Sequence, residues 1–414
     1  MKKRIISMFV TGVVLGNSPA YAVVSDAEFA ELKNSFAAMS KRLSDLEAQN
    51  SALRKRGGST VAELGVTQTE LASVKQSALA NSWADSVKLK GDFRYRYEGI
   101  DVEGADSRTR NRIRARTELN AKLADNLSLG IGIASGGNDP VSSNQTLGGG
   151  GSSKGVNLDL AYAKWNATDE LYLQAGKFKN PMYSPNKSAL MWDGDWRPEG
   201  IGAGWKSGNL FANFIGNFLE SDTKSDKDAF AWGLQGGVNF NLGSAKMTTS
   251  LGYYDFPTAG NTPFFDDDFF GNSSIDGVYQ YDYEMLELGV NVSLNALGKP
   301  LSLFGHFVQN QDAEDFDSGY QIGAKLGKAA NKGSWEASYF YQDLEADAVL
   351  GLLSDSDFAG GGTDGKGHVV KGAYGISDEW KLSLSWFVNN EFGEKNLADE
   401  VGYDRFQLDM NFKF

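Results

Sequence analysis

Apolar and polar residues alternate along most of the chain after residue 86, and this two-residue period limits the folds that the sequence can adopt. In "EWKLSLSWFVN" (379–389), Trp380, Leu382 and Leu384 alternate with Lys381 and Ser383. Successive side chains of a β-strand point to opposite faces, so each such segment predicts a strand with one apolar face and one polar face. Sixteen such segments follow one another, at about 87–98, 108–123, 126–135, 155–166, 169–179, 200–206, 209–219, 229–241, 244–256, 280–295, 299–311, 317–329, 333–345, 366–376, 379–389 and 403–414.

The connections between these segments fall into two classes that alternate along the chain. Seven are short turns with turn-forming residues, such as "ATD" near 168 and "KSGN" near 207. Eight are mostly longer, such as 136–154 and 180–199. This alternation predicts an up-and-down barrel whose two termini lie on the short-turn side. Strands of this length, tilted by about 40°, would carry an outward apolar band about 25 Å tall.

A soluble β-sandwich or a propeller is the alternative for so many strands. Such a fold would place the apolar faces inward and would make both ends of its sheets similar. Here the apolar faces carry large aromatic residues near the strand ends, the opposite faces are charged, and the connections differ in length between the two ends. We therefore predict an all-β transmembrane barrel of about 16 antiparallel strands, preceded by an N-terminal α-helical coiled coil.

The first 22 residues have the pattern of a secretory signal peptide. "MKKR" supplies the positive charge, "IISMFVTGVVLG" forms the apolar core, and Ala20 and Ala22 are the small residues of a cleavage site. The chain contains no cysteine, which excludes a lipid-anchored lipoprotein. We assign 1–22 to the signal peptide, 23–85 to a periplasmic coiled-coil segment with its linker, and 86–414 to a β-barrel in the outer membrane of a Gram-negative bacterium.

The coiled coil is predicted from apolar residues that recur at alternating spacings of three and four. These seam residues are Phe29, Leu32, Phe36, Met39, Leu43, Leu46, Asn50 and Leu53. Asn50 is the polar member, and a buried amide at such a position commonly fixes register and oligomer state. The alternative is a single amphipathic helix that packs on its own domain.

Five arginines occupy every second position of "SRTRNRIRARTELNAKL" (107–123), which places them on one face of a predicted strand. With two arginines of the preceding strand they form the arginine strip: Arg94, Arg96, Arg108, Arg110, Arg112, Arg114 and Arg116. We predict that the arginine strip lines the barrel lumen and favours anions. The competing interpretation is a structural lattice in which the arginines only pair with neighbouring and loop carboxylates.

The chain resembles the Gram-negative putative porin family and, more loosely, the phosphate-selective porins, some of which carry an N-terminal coiled coil. The heptad segment, "GKFKNPMYSPNKSALMWDGDWRPEG" (176–200) and the C-terminal alternation ending in Phe414 carry this resemblance. The resemblance implies trimers of sixteen-stranded barrels, a loop after the fifth strand that folds inward, and a role for Phe414 as the signal for membrane insertion. Our independent strand count also places 180–199 after the fifth strand.

The predicted inward loop would bring four charged residues, Asp193, Asp195, Arg197 and Glu199, towards the lumen. Carboxylates that face a basic wall across a narrow aqueous gap would select solutes by size and charge. The alternative is that Trp192 and Trp196 staple the loop to the wall while the carboxylates are solvated.

The sequence predicts a channel rather than an enzyme, with no cofactor and no metal. His306 and His368 are the only histidines, and the absence of cysteine leaves too few ligands for a zinc site of the usual spacing. The export signal and a pI near 4.8 exclude nucleic acid as a partner. We expect a homotrimeric porin for passive diffusion of small hydrophilic solutes and ions, in contact with outer-membrane lipid and lipopolysaccharide. A structural protein that tethers the envelope through its coiled coil is the alternative.

The longer connections 257–279, 311–317 and 345–365 together contain thirteen Asp or Glu residues and no Lys or Arg. They are interpreted either as solvated surface loops, or as sites where divalent cations bridge to anionic lipopolysaccharide, or as an acidic mouth over the pore.

Overall fold

The computed structural model describes residues 26–56, 86–222, 224 and 228–414. The chain divides into two compact units, residues 1–81 and 82–414. No helix within the described ranges has the length and apolar character needed to cross a bilayer. The predicted signal peptide lies outside the described residues, as does most of the predicted linker.

Helix α1 of the first unit spans Asp26–Arg56, where the sequence predicts it. Two glycines follow Arg56 directly, and glycine is the residue that most often ends a helix. Of the seam residues, Phe36, Met39, Leu43 and Leu46 are between 57% and 71% exposed. The side chains of the other four lie outside the described part. The coiled coil therefore stays a prediction.

Sixteen long antiparallel strands among the described residues form a closed barrel in the second unit. In chain order the strands are β1 (Val87–Val102), β2 (Arg108–Ala124), β3 (Leu127–Ser135), β4 (Gln145–Thr146), β5 (Val156–Asn166), β6 (Leu171–Lys177), β7 (Glu199–Ser207), β8 (Leu210–Glu220), β9 (Ala229–Leu242), β10 (Ala245–Phe256), β11 (Ser274–Ile275), β12 (Val278–Tyr279), β13 (Tyr283–Ala296), β14 (Lys299–Asn310), β15 (Ser318–Gly327), β16 (Trp335–Leu344), β17 (Gly365–Gly375), β18 (Trp380–Phe392) and β19 (Val401–Lys413).

Each predicted segment corresponds to one of the sixteen long strands, and β19 pairs with β1 to close the barrel, for example through Arg96 opposite Asp409. The other three strands are two-residue elements in long connections: β4 pairs with β2, and β11 pairs with β12. Both barrel termini lie at the end that carries the short turns, which we call the short-turn end. The opposite end is the long-connection end.

The outer face of the barrel is apolar, because every second residue of each strand points away from the interior. On β3, Leu129, Ile131 and Ile133 are 37% to 54% exposed, whereas Gly130 and Gly132 face inward opposite Tyr162 and Leu160 of β5. The strand pattern thus gives the apolar belt that the sequence predicts.

Long connections fold back into the barrel and fill much of its interior. Residues 178–198 between β6 and β7, the first inward loop, contact the inner faces of β10 and β14. Residues 345–364 between β16 and β17, the second inward loop, contact the inner faces of β1 and β19. Their apolar side chains join wall residues in one buried cluster, whose members include Leu190, Met191, Trp192, Trp196, Tyr254, Met285, Val308, Val349, Leu350, Leu352 and Leu353.

Candidate functional site

The register between β1 and β2 brings most of the arginine strip together on the inner wall. Arg94 lies opposite Arg114, and Arg96 lies opposite Arg112. The same face carries Asp92, Glu98 and Glu118. Arg108 lies at the outer end of β2 and is exposed. The two-residue alternation in the sequence therefore places these arginines on the same inner face of the barrel.

Carboxylates pair with the arginine strip from both strands. Arg114 Nη2 and Arg116 Nε lie 3.0 and 2.8 Å from the Asp92 carboxylate. Glu98 accepts from Arg110 Nε at 2.6 Å and from Arg405 Nη2 of β19 at 2.7 Å. Arg112 approaches Glu98 only at 3.6 Å. The lattice of ion pairs that the sequence leaves open as an alternative is thus part of this wall.

The second inward loop adds Asp357 to the wall. Its carboxylate lies 2.9 Å from Arg96 Nη1 and 2.6 Å from Arg405 Nη2. Gln407 Nε2 also donates to it at 3.0 Å. Burial raises the pKa of this carboxyl, but Arg405 and Arg96 outweigh burial and hold the pKa well below its usual range. The charged Asp357 therefore clamps the second inward loop to β1 and β19, the two strands that close the barrel.

The first inward loop places Asp195 against the arginine strip. The Asp195 carboxylate lies 2.6 Å from Arg116 Nη1 and 3.4 Å from Arg114 Nη1. Ser143 Oγ donates to the same carboxylate at 3.1 Å. Burial raises its pKa, but Arg114 and Arg116 outweigh burial and lower the pKa overall. Asp195 is thus an ionised pole that faces the basic wall.

Asp193 occupies a different environment, at the contact between the two inward loops. Its backbone N–H donates to the Leu353 carbonyl at 2.7 Å, and its carboxylate accepts from the backbone N–H and the hydroxyl of Ser356, both at 3.1 Å. Burial, with repulsion from Asp355 and Asp195, raises the pKa of Asp193 to about 8. The pKa of Asp193 thus lies above its ordinary value, whereas the pKa of Asp195 lies below it.

The remaining two predicted loop residues lie apart from this contact. Arg197 is buried, donates to the carbonyls of Gly194 and Trp196, and lies 3.4 Å from Asp159 of β5. Glu199 is exposed and pairs with Lys177 at 2.5 Å. Three of the four predicted constriction residues thus share the interior, and Glu199 does not.

The two tryptophans of the first inward loop stack on each other, with ring centroids 4.9 Å apart. Trp192 also contacts Tyr254 edge-on at 5.2 Å. Gly233 on β9 makes room for Tyr254, because a Cβ at this position would lie 2.2 Å from the Tyr254 ring. The tryptophans therefore do anchor the loop, while the nearby carboxylates are bound rather than solvated.

A polar network that the sequence does not predict fixes the same loop to β13 and β14. Ser188 Oγ lies 2.9 Å from His306 Nδ1, and His306 Nε2 lies 2.8 Å from Glu287 Oε1. Tyr254 and Gln235 donate to Glu287 at 2.5 and 2.8 Å. The order serine, histidine, carboxylate resembles a hydrolase triad, but here the side chains of His306 and Glu287 are fully buried and join the loop to the barrel wall.

No group of three or more His, Cys, Asp or Glu in the described ranges is arranged to hold a metal ion. Phe414, the predicted insertion signal, is 68% exposed and covers Gly91 on the outer face.

Two cavities remain beside the charged wall. One, of about 650 Å³, lies at the short-turn end and is lined by Lys90, Lys413 and residues 179–197 of the first inward loop. The other, of about 790 Å³, lies at the long-connection end and is lined by residues 137–143, the ends of β6 and β7, and Asp195. Asp159 and Arg197 line both cavities. A third cavity, of about 440 Å³, lies on the side of β6 to β10 and is lined by Tyr172, Tyr183, Asn213, Asn239 and Thr248.

A closed barrel with an apolar belt, inward loops and cavities beside a charged wall has the architecture of an outer-membrane porin. The solved structure of Pseudomonas putida OprB is similar in fold over 83% of this chain and 97% of that chain, with a TM-score of 0.55 at 12% sequence identity. Salmonella typhi OmpF in complex with daunomycin covers 80% of this chain and 99% of that chain, with a TM-score of 0.48 at 12% identity.

A comparison with curated protein sequences gives no match. The family model described as "Putative porin" matches residues 102–276 and 279–414. The chain therefore belongs to the putative porin family.

Proposed function

We propose that this protein is a porin of the Gram-negative outer membrane, through which small hydrophilic solutes and ions diffuse with a preference for anions. The observation that carries this proposal is a pair of cavities, one at each end of the barrel, that meet at Arg116 of the arginine strip and its partner Asp195. The apolar cluster of the inward loops fills much of the remaining cross-section. A solute that diffuses from one cavity to the other would therefore pass the charged groups Arg116, Asp195 and Arg197.

The anion preference follows from the balance of charges on that wall. Within the described barrel, seven arginines of β1, β2 and β19 share five carboxylates within 4.0 Å. The arginines are Arg94, Arg96, Arg110, Arg112, Arg114, Arg116 and Arg405, and the carboxylates belong to Asp92, Glu98, Asp195, Asp357 and Asp409. Successive side chains on one face lie roughly 7 Å apart, which is less than the Debye length of about 10 Å at 0.1 M salt. Their potentials overlap, and the excess of arginine leaves a positive field.

The test is to replace Arg112, Arg114 and Arg116 together by Gln and to measure the reversal potential of the channel in a planar bilayer under a salt gradient. The proposal requires a shift towards cation preference with folding retained. Arg112→Gln alone is the safer variant, because its one ion pair is long at 3.6 Å. Lys299, Lys328 and Lys332, changed together to Gln, are the matched control, because they lie at the short-turn end and line neither cavity. An unchanged reversal potential in both arginine variants contradicts the anion preference.

Assembly into a homotrimer, with α1 as a periplasmic coiled coil, is the second part of the proposal. The exposed seam residues of α1 support it, because four large apolar side chains on one helix favour association. A peptide of residues 24–56 should sediment as an oligomer, and Asn50→Leu should raise its stability but loosen its oligomer state. A monomeric peptide at high concentration would remove both the coiled coil and the alternative function, a tether of the envelope.

A further inference from the structure

The two cavities carry opposite charge. The short-turn cavity is lined by six cationic and four anionic side chains. The long-connection cavity is lined by Arg197 and by three carboxylates, those of Asp139, Asp159 and Asp195, while the exposed ion pair of Lys177 and Glu199 lies at its edge. Three lysines of the short-turn cavity, Lys90, Lys187 and Lys413, are exposed and make no ion pair within 4.0 Å in the described part of the chain. Their charges therefore act on the contents of the cavity.

A thin septum of ion pairs separates the cavities. Arg116 lines the short-turn cavity, whereas its partner Asp195, 2.6 Å away, lines the long-connection cavity. Arg197 and Asp159 line both cavities, and the 3.4 Å between Nε and the carboxylate makes theirs the longer of the two pairs. The septum is therefore the place where the basic and the acidic cavity meet.

Building on the proposed porin function, we infer that the protein is a rectifying channel, in which a basic cavity and an acidic cavity in series pass more current in one direction than in the other. The basic cavity concentrates anions and the acidic cavity concentrates cations. When the long-connection side is positive, both kinds of ion move towards the septum and accumulate there. The opposite polarity draws both away and depletes the septum.

The size of the cavities makes the effect dependent on salt. A sphere of the smaller volume would be roughly 11 Å across, close to the Debye length of about 10 Å at 0.1 M salt and well above the length of about 3 Å at 1 M. The wall charges should therefore control the ions across the whole cavity at low salt and lose control at high salt.

The experiment is the current–voltage curve of single channels at 0.1 M and 1 M salt. Because the chain has no cysteine, Ser153→Cys in a long connection, labelled with biotin, lets streptavidin report the orientation of each channel. We expect the conductance at 0.1 M to be about twofold higher with the long-connection side positive, and the two polarities to converge at 1 M, where screening is complete within about 3 Å.

Lys90, Lys187 and Lys413, changed together to Gln, should bring the ratio at 0.1 M close to one. The triple variant of Lys299, Lys328 and Lys332 carries the same change in net charge and should keep the ratio. Equal loss in both variants, or a symmetric curve for the unmodified protein, overturns the rectifying channel and leaves the porin standing. The absence of current at either polarity contradicts the porin itself.

Discussion

The two sides of the barrel interior differ in the kind of contact that fills them. On the side of β8 to β14 the inward loops pack apolar and aromatic side chains against the wall, around Trp192, Tyr254 and Met285. On the side of β19, β1 and β2 the loops contact the wall through carboxylates on arginines, through Asp195 and Asp357. The short-turn cavity borders the second side through Lys90, Arg116 and Lys413, whereas the long-connection cavity meets it only through Asp195.

We infer from this difference that one side of the interior anchors the inward loops and the other side conducts ions. Apolar contacts exclude water and hold the loops inside without any orientation of charge. Ion pairs hold the loops only where the geometry is good, but they leave a field that a passing ion meets. The apolar side therefore sets how much of the barrel is closed, and the charged side sets what passes through the remainder.

The largest expected effect comes from breaking the apolar side. Leu350 is 1% exposed in the second inward loop, and Leu350→Asp would place an unpaired carboxylate in the buried cluster. An unpaired buried charge costs several kcal/mol, so the loop should leave the interior and carry the new carboxylate into water. We expect a several-fold rise in single-channel conductance, measured in planar bilayers. Leu297→Asp, at a 90% exposed turn position, is the control and should conduct like the parent. A folded Leu350→Asp protein with unchanged conductance would show that the cluster does not close the barrel.

A smaller effect is expected on the charged side from Asp357→Asn. The substitution keeps the shape of the side chain but removes the negative charge that compensates Arg96 and Arg405. Loss of one partner from a buried ion pair costs about 3 kcal/mol, which should appear in the free energy of unfolding by denaturant in detergent. Asp276→Asn, at an exposed position between β11 and β12, is the control. Equal stability of the two variants would mean that Asp357 does not clamp the loop.

The strands could be predicted from the sequence because their signal is local. Alternation with a period of two marks each strand and its inner face. The arginine strip and the closing strand β19 can therefore be predicted without any long-range information. The inward position of the connection predicted at 180–199, which the structure places at 178–198, followed from the resemblance and the strand count. The acidic connections were interpreted from their charge, and a high content of carboxylates by itself indicates loops that are exposed to solvent.

The filling of the interior could not be predicted in this way, because it depends on contacts between distant residues. One local signal existed: the run Val349 to Leu353 is apolar inside an otherwise acidic connection, and such a run does not remain in water. Asp357 pairs with Arg96 across 261 positions, and Ser188 meets His306 across 118. No pattern in either segment indicates its partner.

The smallest expected effect is a pH dependence at Asp193, which lies where the two inward loops meet. In the unfolded chain an aspartate has a pKa of about 3.9, whereas burial and the nearby Asp355 and Asp195 raise the pKa of Asp193 to about 8 in the fold. Between these values the folded protein holds a proton that the unfolded chain has released, so the stability from this group is complete below pH ~4 and is lost as the pH rises towards about 8.

We therefore expect the unfolding midpoint of the parent protein to fall by a few degrees from pH 5 to pH 8, as measured by thermal unfolding in detergent. Asp193→Asn should remove this part of the slope, because the amide does not titrate. Asp276→Asn, at the exposed position between β11 and β12 and far from this contact in sequence, is the control and should keep the parent's profile. Parallel profiles for the parent and Asp193→Asn would mean that Asp193 is ionised in the fold, and the contact between the two loops would then belong to the charged side of the interior.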